Sequence, residues 1–151
     1  MYLFAYGTLQ PNSNLHFFEN NQLSDFLVPK CRGSIKGQLL HIKNTNQNIE
    51  YPGVVEVGKG NDIVTGTVFE IVGGDEAFNI MDKHEGYNPE LSSKDSAVEN
   101  YYQRIETEVE TENGEVVRAQ VYVINRDSDY FGKDFIKVLG VIENGDWLSF
   151  V

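Results

Sequence analysis

Residues 102–124 carry the pattern that most restricts what this chain can fold into. Ile105, Thr107 and Val109 alternate with Arg104, Glu106 and Glu108, Asn113-Gly114 intervenes, and an apolar-rich run resumes at Val116 and continues to Ile124. Alternation is the period of a half-buried strand, and Asn-Gly between two such runs is the strongest short-range hairpin signal, because both residues tolerate positive φ. The pattern predicts two antiparallel strands joined by a type I′ turn. A sheet with one buried face is therefore obligatory, and the other elements must complete it.

Tyr2-Leu3-Phe4-Ala5-Tyr6 predicts a first strand, residues 33–42 and Val54-Val55-Glu56-Val57 two more, and residues 63–71 another, with Gly66 marking a bulge or a close approach. The polar stretch 44–50 reads as a loop closed by Tyr51-Pro52-Gly53. Three helices are predicted. Residues 12–27 place Leu15, Phe18, Leu23 and Phe26 at amphipathic spacing, with a break near Asn20-Asn21. Residues 76–85 follow Asp75 as N-cap and end at Gly86 as a left-handed C-cap. Residues 128–141, interrupted by Gly132 and Gly140, follow Asp127 or Ser128 as cap, and Asn144-Gly145-Asp146-Trp147 leads into the tail. Strands dominate and helices fall singly after two or more of them, which favours a mixed or antiparallel sheet over a doubly wound one. The expected fold is α+β, a small mixed/antiparallel β-barrel flanked by helices, in one domain spanning residues 1–151.

Composition removes several function classes. At 151 residues the chain can bury a core without staples, and its lone cysteine, Cys31, rules out an internal disulfide framework and reads as packed. A formal net charge of −11 argues against nucleic acid or an anionic membrane as partner, since phosphate neutralisation needs clustered Lys and Arg. Met1 runs straight into a strand, with no signal-peptide pattern and no apolar stretch near the ~20 residues of a membrane helix, so a cytoplasmic location is expected. His16, His41 and His84 share no metal-ligand spacing. The segment beginning Asp127-Ser128-Asp129 starts like a calcium loop but has Phe131 and Val138 where ligands should stand. Gly7-Thr8 lacks the further Gly or Lys of a dinucleotide or phosphate-binding loop. No metal and no cofactor are expected.

Two places remain where chemistry can reside. The first strand meets Gly7-Thr8-Leu9 and then Gln10-Pro11-Asn12-Ser13, so backbone amides at the edge of a core are offered to a carboxylate, a phosphate or an oxyanion; the alternative is a plain turn. In the second helix Phe78, Met81, Asp82 and Glu85 share one face. Desolvation and the negative helix end both raise the pKa of a carboxyl there, which suits a general acid/base; the alternative is a solvated residue in the last turn. Asp82 reads as structural, orienting a loop. Arg104 reads as an exposed partner of Glu106 or Glu108, Tyr122 as packing, and Tyr6 as either a hydroxyl donor or core.

Several blocks, taken in order, resemble the gamma-glutamyl cyclotransferase-like family, which includes small uncharacterised bacterial proteins and plant avirulence-induced proteins. They are Tyr6-Gly7-Thr8-Leu9, Gly37-Gln38-Leu39 with Tyr51-Pro52-Gly53, Val64-Thr65-Gly66-Thr67-Val68-Phe69-Glu70, and Met81-Asp82-Lys83-His84-Glu85-Gly86-Tyr87. Tyr102-Gln103-Arg104, Ala119-Gln120-Val121-Tyr122-Val123 and Gly145-Asp146-Trp147 follow. The resemblance implies a β-barrel with flanking helices, Glu85 as catalytic acid/base, and Tyr6, Gly7, Thr8 and Leu9 around a small-molecule γ-glutamyl substrate. The implied reaction is attack of the substrate's α-amine on its γ-carbonyl, giving 5-oxoproline and a free amine, without metal or cofactor. The competing class is a binding module that holds a carboxylate or other anion in the same pocket without turnover. Oligomeric state stays open. Residues 88–101 form a longer connection than compact family members have, and Pro89, Ser92, Ser93, Lys94 and Asp95 give it the composition of a surface segment.

Overall fold

Strand β1 (Tyr2–Ala5) is the staple of the sheet, pairing antiparallel with β5 (Ile63–Ile71) on one side and parallel with β7 (Val116–Ile124) on the other. With β2 (Leu27–Lys36) and β6 (Tyr102–Thr111) these close a five-stranded barrel in the order β1-β5-β2-β6-β7. Closure leaves no free edge in that sheet. The computed structural model describes residues 1–11, 13, 17–20, 23–89, 100–126, 128 and 133–150. A second sheet has the order β4-β3-β8, built from β3 (Gln38–Asn44), β4 (Ile49–Val55) and β8 (Ile136–Val141). Helices are short: α1 (Phe17–Asn20), a 3-10 turn Leu23–Asp25, α2 (Asp75–His84) and α3 (Trp147–Phe150). No helix among the described residues is long and apolar enough to cross a membrane.

Successive residues of single strands face two different cores, as the strand period requires. Phe4, Val68, Val121 and Val123 join Ile35, Val109 and Trp147 in a core that draws on all five barrel strands. Leu3, Ala5, Phe69, Tyr122 and Ile124 face the other way and join Ala77, Phe78 and Met81 of α2. Burying each of the larger α2 side chains contributes about 1.5–3 kcal/mol relative to exposure. That packing fixes the helix against one side of the barrel, with its C-terminus beside the end of β1.

The barrel with flanking helices is as the sequence suggests, while several elements differ. The hairpin pairs from Tyr102↔Ile124 to Glu110↔Val116, but its loop is not type I′. Asn113 keeps a negative φ, Gly114 alone is left-handed (φ 82°), and Thr111 receives the Gly114 amide at 2.9 Å, the three-residue loop with a glycine bulge. The stretch 33–42 is two strands broken at Gly37, the first of them starting at Leu27 inside the expected first helix. That helix reduces, among the described residues, to a single turn and the 3-10 segment; Asn12, Leu15 and Asn21 lie outside them. Tyr51-Pro52-Gly53 lies within β4 rather than in a loop. β4 is an edge strand, the place where a residue lacking N–H is tolerated.

The expected helix over 128–141 is a strand from Ile136 on. Its apolar side chains bury no helical face: Val138, Leu139 and Val141 are 51%, 52% and 47% exposed. Backbone pairing with β3 decides the conformation, and Gly140 (φ 151°) lies where the register shifts between His41 and Ile42. Asp127 and residues 129–132, with the rejected calcium segment, lie outside the described residues. At α2 the N-cap is Gly74 rather than Asp75, which is the first helical residue and makes no side-chain cap; the left-handed Gly86 (φ 65°) ends the helix as expected.

Candidate active site

The loop after β1 is held from several sides. Gln10 N–H donates to the Gly7 carbonyl at 3.0 Å and Ser13 Oγ donates to the Thr8 carbonyl at 2.9 Å. The buried Gln10 side chain accepts from Arg32 Nη1 at 2.8 Å and Thr67 Oγ1 at 3.0 Å. A Cβ on Gly7 would stand 2.4 Å from Pro52 Cγ, so only glycine lets the loop lie against β4. Residues 8–11 are turn and bend, so among the described residues this is a pinned turn and not a helix N-terminus. Among the described residues, the amides of Gly7, Thr8 and Leu9 donate to no protein acceptor.

Tyr6 links three strands at this end of the barrel. Its hydroxyl donates to the Tyr122 carbonyl at 2.5 Å and accepts from the Val54 amide at 3.3 Å. Glu85 occupies the C-cap of α2, where its amide donates to the Met81 carbonyl at 2.9 Å, and Gly86 then reverses the chain so that its carbonyl accepts from Tyr101 N–H at 3.0 Å. A glycine at that reversal is what turns the carboxyl of Glu85 inward while the backbone departs toward β6.

The two pieces meet in a cavity of about 290 Å³. Tyr6, Gly7, Thr8 and Leu9 line it together with Glu85, so all five residues singled out from the sequence share one pocket. His84, Tyr51, Tyr101, Tyr102 and Tyr122 complete much of the wall, and no Lys or Arg is among the described lining residues. Tyr51 and Tyr101 share a 2.5 Å hydroxyl–hydroxyl hydrogen bond, and Tyr102 donates to the Pro52 carbonyl at 2.7 Å. Burial raises the pKa of all five tyrosines here, so they remain neutral donors at neutral pH.

Glu85 stands apart. Loss of water, and then the nearby Asp82 carboxylate, push its pKa up from 4.5 to about 8. A carboxyl poised there exchanges a proton readily near neutral pH, which is the property of a general acid/base. His84 moves the other way: burial pushes it down to about 4, so the imidazole is neutral. Its ring stacks on Phe17 with centroids 3.5 Å apart and its Nε2 lies 3.2 Å from Thr8 Oγ1, tying α2 to the loop.

Two sequence readings need correction here. Arg104 is not an exposed partner of Glu106 or Glu108, both of which reach Arg118 instead. Its Nη1 lies 3.0 Å from each oxygen of Asp82, and its guanidinium sits 4.0 Å over the Phe78 ring. Tyr122 does more than pack: its hydroxyl donates to Asp82 Oδ1 and its ring lines the cavity. Counting back from a two-residue Asn113-Gly114 turn would set Arg104 opposite Val123; the glycine-bulged loop shifts the register by one residue, so that Arg104 and Tyr122 stand opposite each other on one face. His84 and the Tyr51, Tyr101, Tyr102 cluster gave no comparable signal, since their approach depends on β4 and the end of α2 crossing at the barrel rim.

A family model described as gamma-glutamyl cyclotransferase, AIG2-like, matches residues 3–149. No curated protein matches the chain. Among solved structures, an AIG2-like protein from Mus musculus is similar with 22% identity over 91% of this chain and 84% of its own, at a TM-score of 0.57. Protein ytfP from Escherichia coli is similar with 26% identity over 98% and 96% of the two chains, at 0.54. A gamma-glutamyl cyclotransferase shares the fold at 16% identity over 83% and 66%, at 0.54. With its mixed five-stranded barrel and a family match running nearly end to end, this chain belongs to the gamma-glutamyl cyclotransferase, AIG2-like family.

Proposed function

We propose that the protein is an intramolecular cyclotransferase that converts a γ-glutamyl amine or γ-glutamyl amino acid to 5-oxoproline and a free amine, with Glu85 as general acid/base. The observation that carries this reading is the Glu85 carboxyl, with its pKa near 8, in the same cavity as Tyr6, Gly7, Thr8 and Leu9. With no Lys or Arg among the described lining residues, the substrate's α-carboxylate falls to neutral donors, and the amides of the 7–9 loop, which meet no acceptor among the described residues, suit it. The substrate's α-ammonium, placed beside Glu85, favours the carboxylate form of that residue.

Glu85 takes one proton from the α-ammonium, and the freed amine attacks the γ-carbonyl carbon. The new C–N bond closes a five-membered ring and puts negative charge on the carbonyl oxygen. Glu85 returns the proton to the leaving nitrogen, the old C–N bond breaks, and the lactam nitrogen gives up its second proton through Glu85 to the departing amine. Amine leaves as ammonium, the ring as 5-oxoproline, and Glu85 is again a carboxylate. Ring closure asks mainly for a folded substrate, where positioning contributes about 7–11 kcal/mol, and the proton shuttle adds about 10²- to 10⁴-fold.

The test is a γ-glutamyl alkylamine and a γ-glutamyl dipeptide, each with its α-amine free and N-acetylated. The expected result is 5-oxoproline and amine released one for one from the free compounds only. Glutamate as product, or release from the acetylated compounds, would mean hydrolysis by water and would sink the proposal. Tight binding without release would make the protein a binding module.

A further inference from the structure

The reaction above leaves one acidic group on the buried face of α2 without a task. Asp82 precedes Glu85 by three residues, on the same helix face. Its side chain is 10% exposed, and that of Arg104, whose Nη1 reaches both its oxygens at 3.0 Å, is 20% exposed. The Tyr122 hydroxyl donates to Asp82 Oδ1, while the Tyr122 carbonyl accepts from the Tyr6 hydroxyl. The Asp82 carbonyl accepts from Tyr87 N–H at 2.9 Å, where the chain leaves the helix. An unbroken set of bonds therefore runs from the last turn of α2, through β6 and β7, to the residue that opens the loop after β1.

We propose that Asp82 is a positioning residue of this site: braced by Arg104 and Tyr122, it holds the last turn of α2, and with it the Glu85 carboxyl, in register with Tyr6 and the 7–9 loop. The inference rests on Glu85 serving as the acid/base. Ionisable neighbours of Glu85 in the cavity are His84 on its own helix, Tyr6 at the end of β1, Tyr51 on β4, Tyr101 and Tyr102 at the start of β6, and Tyr122 on β7. All of these are neutral near pH 7; burial raises the Asp82 pKa while the Tyr122 hydroxyl and the Arg104 guanidinium favour its carboxylate, and that carboxylate acts on Glu85 second to loss of water.

The experiment follows the Glu85 carboxyl directly, by carbon-13 NMR of glutamate-labelled full-length chain, with Glu85→Gln to assign the signal. Asp82→Asn keeps the size and an acceptor for Tyr122 while removing the charge. The expected result is a Glu85 titration midpoint lowered by about one unit, and kcat for 5-oxoproline release lowered about tenfold or more with KM within about twofold. A midpoint that stays put overturns the inference, whether or not the chain turns substrate over. A midpoint that moves in a chain releasing no 5-oxoproline leaves the coupling standing and sinks the cyclotransferase reading alone. Should Asp82→Asn fail to fold, Tyr122→Phe removes only the bracing hydroxyl. A fall in kcat at constant KM supports the bracing, and a rise in KM at constant kcat assigns Tyr122 to substrate contact and overturns it.

Discussion

Ionising Glu85 in the folded chain is costly, and Glu85→Gln reads that cost as a dependence of stability on pH. The group titrates at about 8 when folded against 4.5 as an ordinary glutamate, so the folded state holds the proton more tightly. A raised folded pKa gives stability that is fully present below pH 4.5 and is lost as pH rises through 8. The loss runs at about 1.4 kcal/mol per pH unit, giving about 3 kcal/mol by pH 7 and about 5 kcal/mol by pH 9. Set against the ~5–15 kcal/mol that holds a typical domain together, this is a large fraction. Urea unfolding of the intact chain and Glu85→Gln at pH 5, 7 and 9 isolates it, since every other titrating group is common to both. The variant should gain about 4 kcal/mol relative to the intact chain from pH 5 to pH 9. A difference that stays constant within about 1 kcal/mol would refute the claim that this carboxyl is desolvated.

Other consequences concern the walls of the same cavity. His84, held down at about 4 against 6.5, gives stability present above pH 6.5 and lost as pH falls through 4, so His84→Gln should flatten the acid limb of a urea-midpoint profile by about 3 kcal/mol. Gly7→Ala places a methyl 2.4 Å from Pro52 Cγ and should cost about 1–3 kcal/mol in thermal unfolding while raising KM. Arg104→Met strands the Asp82 carboxylate in a dry setting and should cost about 3–5 kcal/mol in urea unfolding, whereas Arg118→Met, whose partners are exposed, should cost less than about 1 kcal/mol.

What the sequence disclosed and what it hid divide along physical lines. Wherever one face of an element is buried, the period showed: β6 and β7 alternate, and α2 stacks Phe78, Met81 and Asp82 against the barrel. The face of α2, with the glycine at 86, is what brings Glu85 forward as a candidate from sequence. Where backbone pairing rather than burial holds the chain, the pattern misled. β8 lies at a sheet edge with half-exposed valines, and its spacing of apolar residues imitates a helix because neither face selects against it. β4 carries a proline and a glycine that signal a loop in most contexts. Here Gly53 is required because a Cβ would stand 2.1 Å from Ile124 Cδ1, a contact between sheets that no local pattern encodes. Arg104 was misplaced for a third reason: alternation says that a residue shares a face with its i+2 neighbours, not that a helix will cover one end of that face.

Release of 5-oxoproline from a γ-glutamyl amine by the intact chain and by Glu85→Gln, under conditions where both are folded, tests the central claim most directly. The account predicts turnover by the intact chain and a loss of at least about 10²-fold in the variant with binding retained. Equal turnover by the two proteins would contradict it, because the proton would then be moving without the one carboxyl among the described lining residues of this cavity.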